Sequence, residues 1–227
     1  ANPFAAASVA AAADPYEAFR GALRELFRRL VSAPADEVKK QLEALMKRVG
    51  APGDHMLAVQ TRVGYSYNAL GRNEEALPLQ RDVYSGRLKL YGEDHQETIW
   101  SAGYLANSLY RTRRFDEGKA LLRKVIPVAR RVLGKGNIDV VRLRWSYASF
   151  LYRAPDATLD DIREAVATLE ETYSTVRRVF GIAHPFMADV EGSLEYSRAT
   201  LRASAVASLE ESGLTLAEIE KLELEES

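Results

Sequence analysis

Cysteine is absent from this chain of 227 residues. The absence excludes a disulfide framework, a thiolate zinc site and a cysteine nucleophile, and it is typical of a reducing compartment. Long apolar runs are also missing, since no stretch approaches the roughly 18 residues of a membrane helix. The net charge is only −1, which argues against a nucleic-acid binder dominated by phosphate contacts.

Sequence signatures of catalysis are missing as well. The chain has no glycine-rich phosphate loop, no HExxH and no GxSxG motif, and its many carboxylates are scattered rather than clustered. We therefore predict that it is not an enzyme and that it needs no cofactor and no metal. We expect a cytoplasmic protein without nucleic-acid partners or membrane insertion. Because the sequence begins at Ala1, a processed form inside an organelle and a fragment of a longer protein both stay open.

The sequence contains an internal repeat. Four similar segments, RVG, KLYG, RVLG and RVFG, end at Gly50, Gly92, Gly134 and Gly181, at successive spacings of 42, 42 and 47 residues. A second marker, read as GRNEEA, RRFDEG and DIREA, follows the same spacing. Two markers in phase indicate a true repeat, and a repeat of this length indicates a solenoid of stacked supersecondary units.

Each repeat reads as two helices. Apolar residues recur at helical spacing, and small residues, including Ala106 and Ala148, recur where two helices would cross closely. The joint glycines end the second helices. His95 and His184 follow such glycines by three residues, so we interpret them as helix-start residues and not as catalytic groups. The predicted helices span 54–70, 73–91, 95–112, 115–133, 138–152, 160–180 and 184–208.

These residues resemble the tetratricopeptide repeat. The 42-residue length and the phrases VLGKGNIDVV and FGIAHPFMADV are similar to the kinesin light chain variety of that repeat. The departures are Asn137 and Ile138 in place of His-Pro, and Arg113 in place of a turn glycine. The resemblance implies an all-α, right-handed superhelix of antiparallel helix pairs that uses its inner surface for binding.

The domain boundaries follow from the repeat. Residues 1–13 are an alanine-rich segment, and residues 14–50 form a degenerate N-terminal helix pair. Residues 51–208 hold three full repeats and a terminal helix. Residues 209–227 form an acidic tail with a predicted short helix, in which Thr215 and Glu218 make a capping box.

The predicted partner-binding residues lie on the first helices of the repeats. Solenoids of this kind bind partners on the concave face, and Tyr, Trp and Arg dominate binding energy at interfaces. The alternative is that these aromatic residues pack between helices. The set is Thr61, Tyr65, Asn68, Trp100, Asn107, Tyr110, Arg111, Arg142, Trp145, Ser149, Tyr152, Arg153 and Tyr196.

Two functions are compatible with this pattern. The first is a non-catalytic scaffold or adaptor that binds a peptide or a partner domain in the groove. The second is a structural subunit that uses its outer or end surfaces within a larger assembly. From Leu209 onward the tail has seven Glu and one Lys, which gives it −6 and the preceding chain +5. The tail is open to three interpretations: an end cap, an export-like signal, or a competitor for the groove.

Overall fold

The computed structural model describes residues 25, 28, 34–48 and 53–211. Within these ranges every regular element is a helix, which confirms the predicted all-α fold. The helices are α1 (Ala35–Arg48), α2 (Gly53–Ala69), α3 (Asn73–Tyr91), α4 (Gln96–Arg111), α5 (Phe115–Leu133), α6 (Ile138–Tyr152), α7 (Leu159–Val179) and α8 (Phe186–Glu211). Each of the seven predicted helices from 54 to 208 is found within three residues of its expected bounds.

The chain divides into two compact units, Ala1–Leu90 and Tyr91–Ser227. In the second unit each helix packs against its neighbours in sequence, and α6 also contacts α4 and α8. Short connections between contacting neighbours produce antiparallel pairs, α4 with α5 and α6 with α7. In the first unit α1 packs on α2 and buries Val38 and Leu42, and its Lys39 pairs with Asp82 of α3.

The turns between helix pairs contain a glycine that ends one helix and a side chain that caps the next. Gly92, Gly134 and Gly181 have φ of 82°, 86° and 84°, the left-handed conformation that ends a helix. His95 Nδ1 accepts the backbone N–H of Glu97 at 3.2 Å at the start of α4. The same cap recurs at Asn137 in α6 and at His184 before α8. These three side chains are therefore helix caps, as the spacing predicted.

Arg113 occupies the turn between α4 and α5 in a left-handed conformation. Its φ is 58°, and the residue 42 positions earlier is Gly71, with φ of 77°. A side chain with a Cβ adopts this conformation at a cost of about 1–2 kcal/mol, whereas glycine adopts it without strain. The departure from the repeat pattern at this position therefore leaves local strain in the turn.

The Arg113→Gly variant is expected to raise the free energy of unfolding by about 0.5–1 kcal/mol, since relief of strain exceeds the extra freedom of an unfolded glycine. Urea unfolding followed by circular dichroism measures the change. Arg114→Gly is the control, because Arg114 has φ of −86° and gains nothing from glycine. Equal effects at the two positions would contradict the prediction.

Small residues lie at the helix crossings, as expected. Ala106 and Ala148 are fully buried. Gly118 is also buried, and a Cβ built on it would overlap the ring of Phe150. The close approach of α5 to α6 therefore depends on the missing side chain at Gly118.

Helix α8 is polar at two positions where α6 is apolar and buried. In α6, Ala148 and Leu151 are buried on the side that faces α7, where Arg144 pairs with Glu171. Their equivalents 47 residues later are Glu195 and Arg198, both exposed.

Several predicted segments lie outside the described residues. They are the alanine-rich residues 1–13, almost all of the first helix of the degenerate pair, and the tail beyond residue 211. Helix α8 itself continues three residues past the predicted end of the repeat region at 208.

Candidate functional site

The first helices of the second unit lie side by side and form one surface. Helix α6 contacts α4 on one side and α8 on the other. We refer to the surface formed by α4, α6 and α8 as the first-helix face. All of the predicted partner-binding residues from position 100 onward belong to these three helices or to the residue that caps α6.

Arg153 caps the C-terminal end of α6, the middle helix of this face. Its Nε donates a 3.1 Å hydrogen bond to the hydroxyl of Tyr152, and its guanidinium carbon lies 5.3 Å from that ring's centroid. The ring centroid of Tyr196 from α8 lies 5.5 Å from the same carbon. The two tyrosine rings are 5.6 Å apart. We refer to Tyr152, Arg153 and Tyr196 as the tyrosine–arginine cluster.

The cluster holds a charged group in a fixed position near solvent. Tyr152 is buried and forms the floor, whereas Tyr196 is 56% exposed and Arg153 is exposed. The hydrogen bond to Tyr152 raises the pKa of Arg153, so the guanidinium keeps its charge throughout the accessible pH range. Cation–π contacts of this kind contribute about 0.5–1 kcal/mol at exposed sites. Arg153 therefore presents N–H donors outward from an oriented position.

The two tryptophans connect successive first helices. Trp100 Nε1 of α4 donates to Asp139 Oδ2 of α6 at 2.8 Å. Trp145 Nε1 of α6 donates to Ser193 Oγ of α8 at 2.9 Å, and its ring packs edge-on against Phe186 at 5.5 Å. Both indoles are therefore used in helix packing, although Trp100 remains 37% exposed.

The other polar residues of the face are exposed and weakly restrained. Arg111 Nε donates to Asn107 Oδ1 one turn earlier at 3.0 Å. Arg142 lies 3.7 Å from Asp139 Oδ1. Tyr110 is half-buried, with its ring edge-on to Phe115 and Phe150 at 5.9 and 5.6 Å. Arg111 and Arg153 occupy equivalent positions 42 residues apart, each at the end of a first helix.

In the first unit the predicted residues are mostly inside. Thr61 and Asn68 are buried, and the Thr61 hydroxyl donates to the carbonyl of Leu57 at 2.7 Å. Tyr65 is 57% exposed. Only Tyr65 of these three offers its side chain to solvent.

The predicted set thus falls into three groups by exposure. Thr61, Asn68, Ser149 and Tyr152 are buried and support the helices, and Ser149 also donates its hydroxyl to the Trp145 carbonyl at 3.0 Å. Tyr110 and Trp145 are intermediate. The exposed members are Tyr65, Trp100, Asn107, Arg111, Arg142, Arg153 and Tyr196.

Sequence reasoning missed two groups of partners. Asp139 was absent from the predicted set because a first-turn acid is explained by the helix dipole alone. The second group is a network across three helices: the Tyr147 hydroxyl donates to Glu164 Oε1 and accepts from Arg123 Nε, both at 2.7 Å. Burial, together with the hydrogen bond to Glu164, raises the pKa of Tyr147. No local pattern in the sequence predicts contacts between residues so far apart.

Neither a metal cluster nor a membrane span is found in residues 34–48 and 53–211. No three His, Asp or Glu side chains in these ranges come together as metal ligands would. None of the helices described is both long and apolar enough to cross a bilayer.

Comparison with known proteins agrees with this architecture. Residues 55–131 match the model of the tetratricopeptide repeat. The structure is similar to that of a protein from Podosopora anserina with nearly identical TPR-like repeats of the kinesin light chain kind. The identity is 19%, over 86% of this chain and 98% of that one, with a TM-score of 0.57. A single-substitution variant of the same protein matches at 18% identity, over 87% and 97% of the two chains, with a TM-score of 0.59. A comparison with curated proteins finds no match.

The chain is an α-helical repeat protein with a surface built from first helices. More specifically, residues 55–131 match the tetratricopeptide repeat, and the fold is similar to that of a kinesin light chain-like repeat protein. Such repeats generally mediate protein–protein interaction, and the fold is typical of non-catalytic scaffolds.

Proposed function

We propose that the protein is a non-catalytic scaffold or adaptor that binds a peptide or a partner domain on its first-helix face. The observation that carries the proposal is the tyrosine–arginine cluster. It combines two aromatic rings and an oriented guanidinium on a surface that no described helix covers. Residues of these types dominate binding energy at protein interfaces.

The exposed residues around the cluster support the same proposal. Asn107 and Arg111 lie on the adjacent helix α4, with both an amide and a guanidinium available at the surface. An Asn side chain can donate to and accept from a peptide backbone. Arg111 and Arg153 have no carboxylate partner among the described residues, so both can pair with a ligand's acceptor groups.

Loss of these two guanidinium groups is expected to weaken partner capture by at least about tenfold, since hydrogen bonds to charged groups contribute about 1.5–3 kcal/mol each. The test compares wild type with the Arg111→Ala, Arg153→Ala double variant in a pull-down read by mass spectrometry. The matched control is Lys124→Ala with Arg163→Ala, which removes two exposed charges from the second helices α5 and α7. Thermal unfolding confirms that each variant is folded.

A partner lost by the first double variant and retained by the control supports the proposal. Equal capture by wild type and both variants would refute it. Equal loss in both variants would instead favour a subunit that binds through surfaces other than the first-helix face.

A further inference from the structure

An apolar strip with basic flanks lies where α5 and α7 end. The sequence Arg-Arg-Val closes both helices, as Arg130–Val132 and Arg177–Val179. Val132 is 39% exposed, Val179 is 48% exposed and Ile182, in the following turn, is 72% exposed. A Cβ on Gly136 would lie 3.4 Å from Val179 Cγ2, so the turn after α5 packs against the end of α7. We refer to Val132, Val179 and Ile182 with their basic flanks as the joint edge.

The charged residues of the joint edge that make no ion pair are basic. Arg177, Arg178 and Lys135 are exposed and make no ion pair with the described residues, whereas Arg131 pairs with Asp94. Exposed aliphatic side chains surrounded by uncompensated cations match an amphipathic segment that carries acidic residues. The joint edge is separate from the first-helix face, because it lies at the ends of α5 and α7 and the face is formed by α4, α6 and α8.

The chain itself contains a segment with the required chemistry. Leu216, Ile219 and Leu222 share one face at helical spacing, and Glu218 and Glu220 lie between them. From Leu209 onward the net charge is −6. In the middle of α8, Glu195 and Arg198 stand where α6 has the buried residues Ala148 and Leu151.

The segment cannot reach the joint edge of its own molecule. The edge adjoins the start of α8, which has 26 residues and spans about 37 Å. Leu216 follows Glu211 by five residues, which extend over at most about 18 Å, and a helix from Leu216 to Leu222 adds only about 9 Å. A copy of the segment that covers the joint edge must therefore come from another molecule.

We propose that the joint edge of one molecule binds the acidic segment 216–224 of a second molecule. A reciprocal exchange of two segments produces a closed dimer with two-fold symmetry. The apolar faces cover Val179 and Ile182, and the glutamates pair with Arg177, Arg178 and Lys135. Moderate salt weakens the complex because the pairs are at the surface.

Anisotropy of a labelled peptide of residues 209–227 tests the contact. The acceptor is the full chain carrying Leu216→Asp and Ile219→Asp, which disables its own segment and leaves the joint edge intact. We expect binding that becomes at least about tenfold weaker when Ile182→Asp is added, a loss of about 1.4 kcal/mol. Leu70→Asp is the matched control, since Leu70 is an exposed leucine outside the edge, 46% accessible. That change is expected to leave the affinity as it was.

Sedimentation velocity of the unsubstituted chain gives an independent measurement. We expect a dimer for wild type and for Leu70→Asp, and a monomer for Ile182→Asp. Absence of peptide binding up to about 100 μM would overturn the proposal. So would binding that survives Ile182→Asp and is lost in Arg153→Ala, because the peptide then occupies the first-helix face.

Discussion

Replacement of Phe150 by Ala is expected to lower the free energy of unfolding of the second unit by about 3–5 kcal/mol. The ring is fully buried and lies edge-on to Tyr110 at 5.6 Å and to Phe115 at 6.1 Å. Its removal leaves a cavity between α5 and α6 that the two neighbouring rings cannot fill without leaving their own positions. Urea unfolding measured by tryptophan fluorescence reports this unit, since both tryptophans of the chain, Trp100 and Trp145, belong to it.

A double-mutant cycle tests the cause. Gly118→Ala alone is expected to cost about 1–3 kcal/mol, because the new Cβ overlaps a ring that is held on both sides. The next crossing along the chain has Ala165 where this one has Gly118, and Ser197 where this one has Phe150. The variant with both Gly118→Ala and Phe150→Ser recreates that combination. Its loss of stability is expected to be smaller than the sum of the single losses by about 1 kcal/mol or more, and strict additivity would contradict this account.

The combined change of Gly64→Ala and Gln80→Leu is expected to stabilise the first unit by about 1–3 kcal/mol. Gln80 is fully buried between α2 and α3, and its Nε2 donates to the Thr61 carbonyl at 3.2 Å. Its Oε1 has no hydrogen-bond partner among the described residues. Leucine at this position removes a buried acceptor that is not satisfied.

The neighbouring glycine explains why both changes are needed. A Cβ at Gly64 would lie 2.5 Å from Gln80 Nε2, so Gly64→Ala alone is expected to destabilise the unit. In the next two repeats the same pair of positions holds Ala106 with Leu122 and Ala148 with Leu169. Thermal unfolding of the two single variants and the double variant measures the effect. A double variant that melts below wild type would show that the buried glutamine itself contributes to stability.

The helices and their ends were predictable because the signals for them are local. A joint glycine and a capping side chain three residues later act within one turn of backbone, so His95 and His184 could be assigned from their spacing alone. The same holds for Ala106 and Ala148, whose recurrence at the repeat length indicates a close helix crossing. Arg113 could be recognised as a departure for the same reason.

The candidate site was predictable only in part. Three of the predicted residues, Tyr152, Arg153 and Tyr196, come together at α6 and α8, and their role in binding stays a prediction. Which of these side chains faces solvent was not predictable, because an error of one residue in helix phase rotates a side chain by about 100°. Thr61 is inside for this reason, although the pattern placed it in the groove.

The sequence by itself determined the class of fold, the bounds of the helices within residues 53–211 and the absence of a catalytic motif, because periodicity, caps and composition belong to the chain. Tertiary structure alone decided which residues act together. The contact of Trp100 with Asp139, that of Arg153 with Tyr196 and that of Gly136 with Val179 all connect residues from different repeats. Such contacts depend on how one helix pair stacks on the next. The stacking depends on the volumes of buried side chains such as Phe150, and the spacing of residues along the sequence does not specify how these volumes pack.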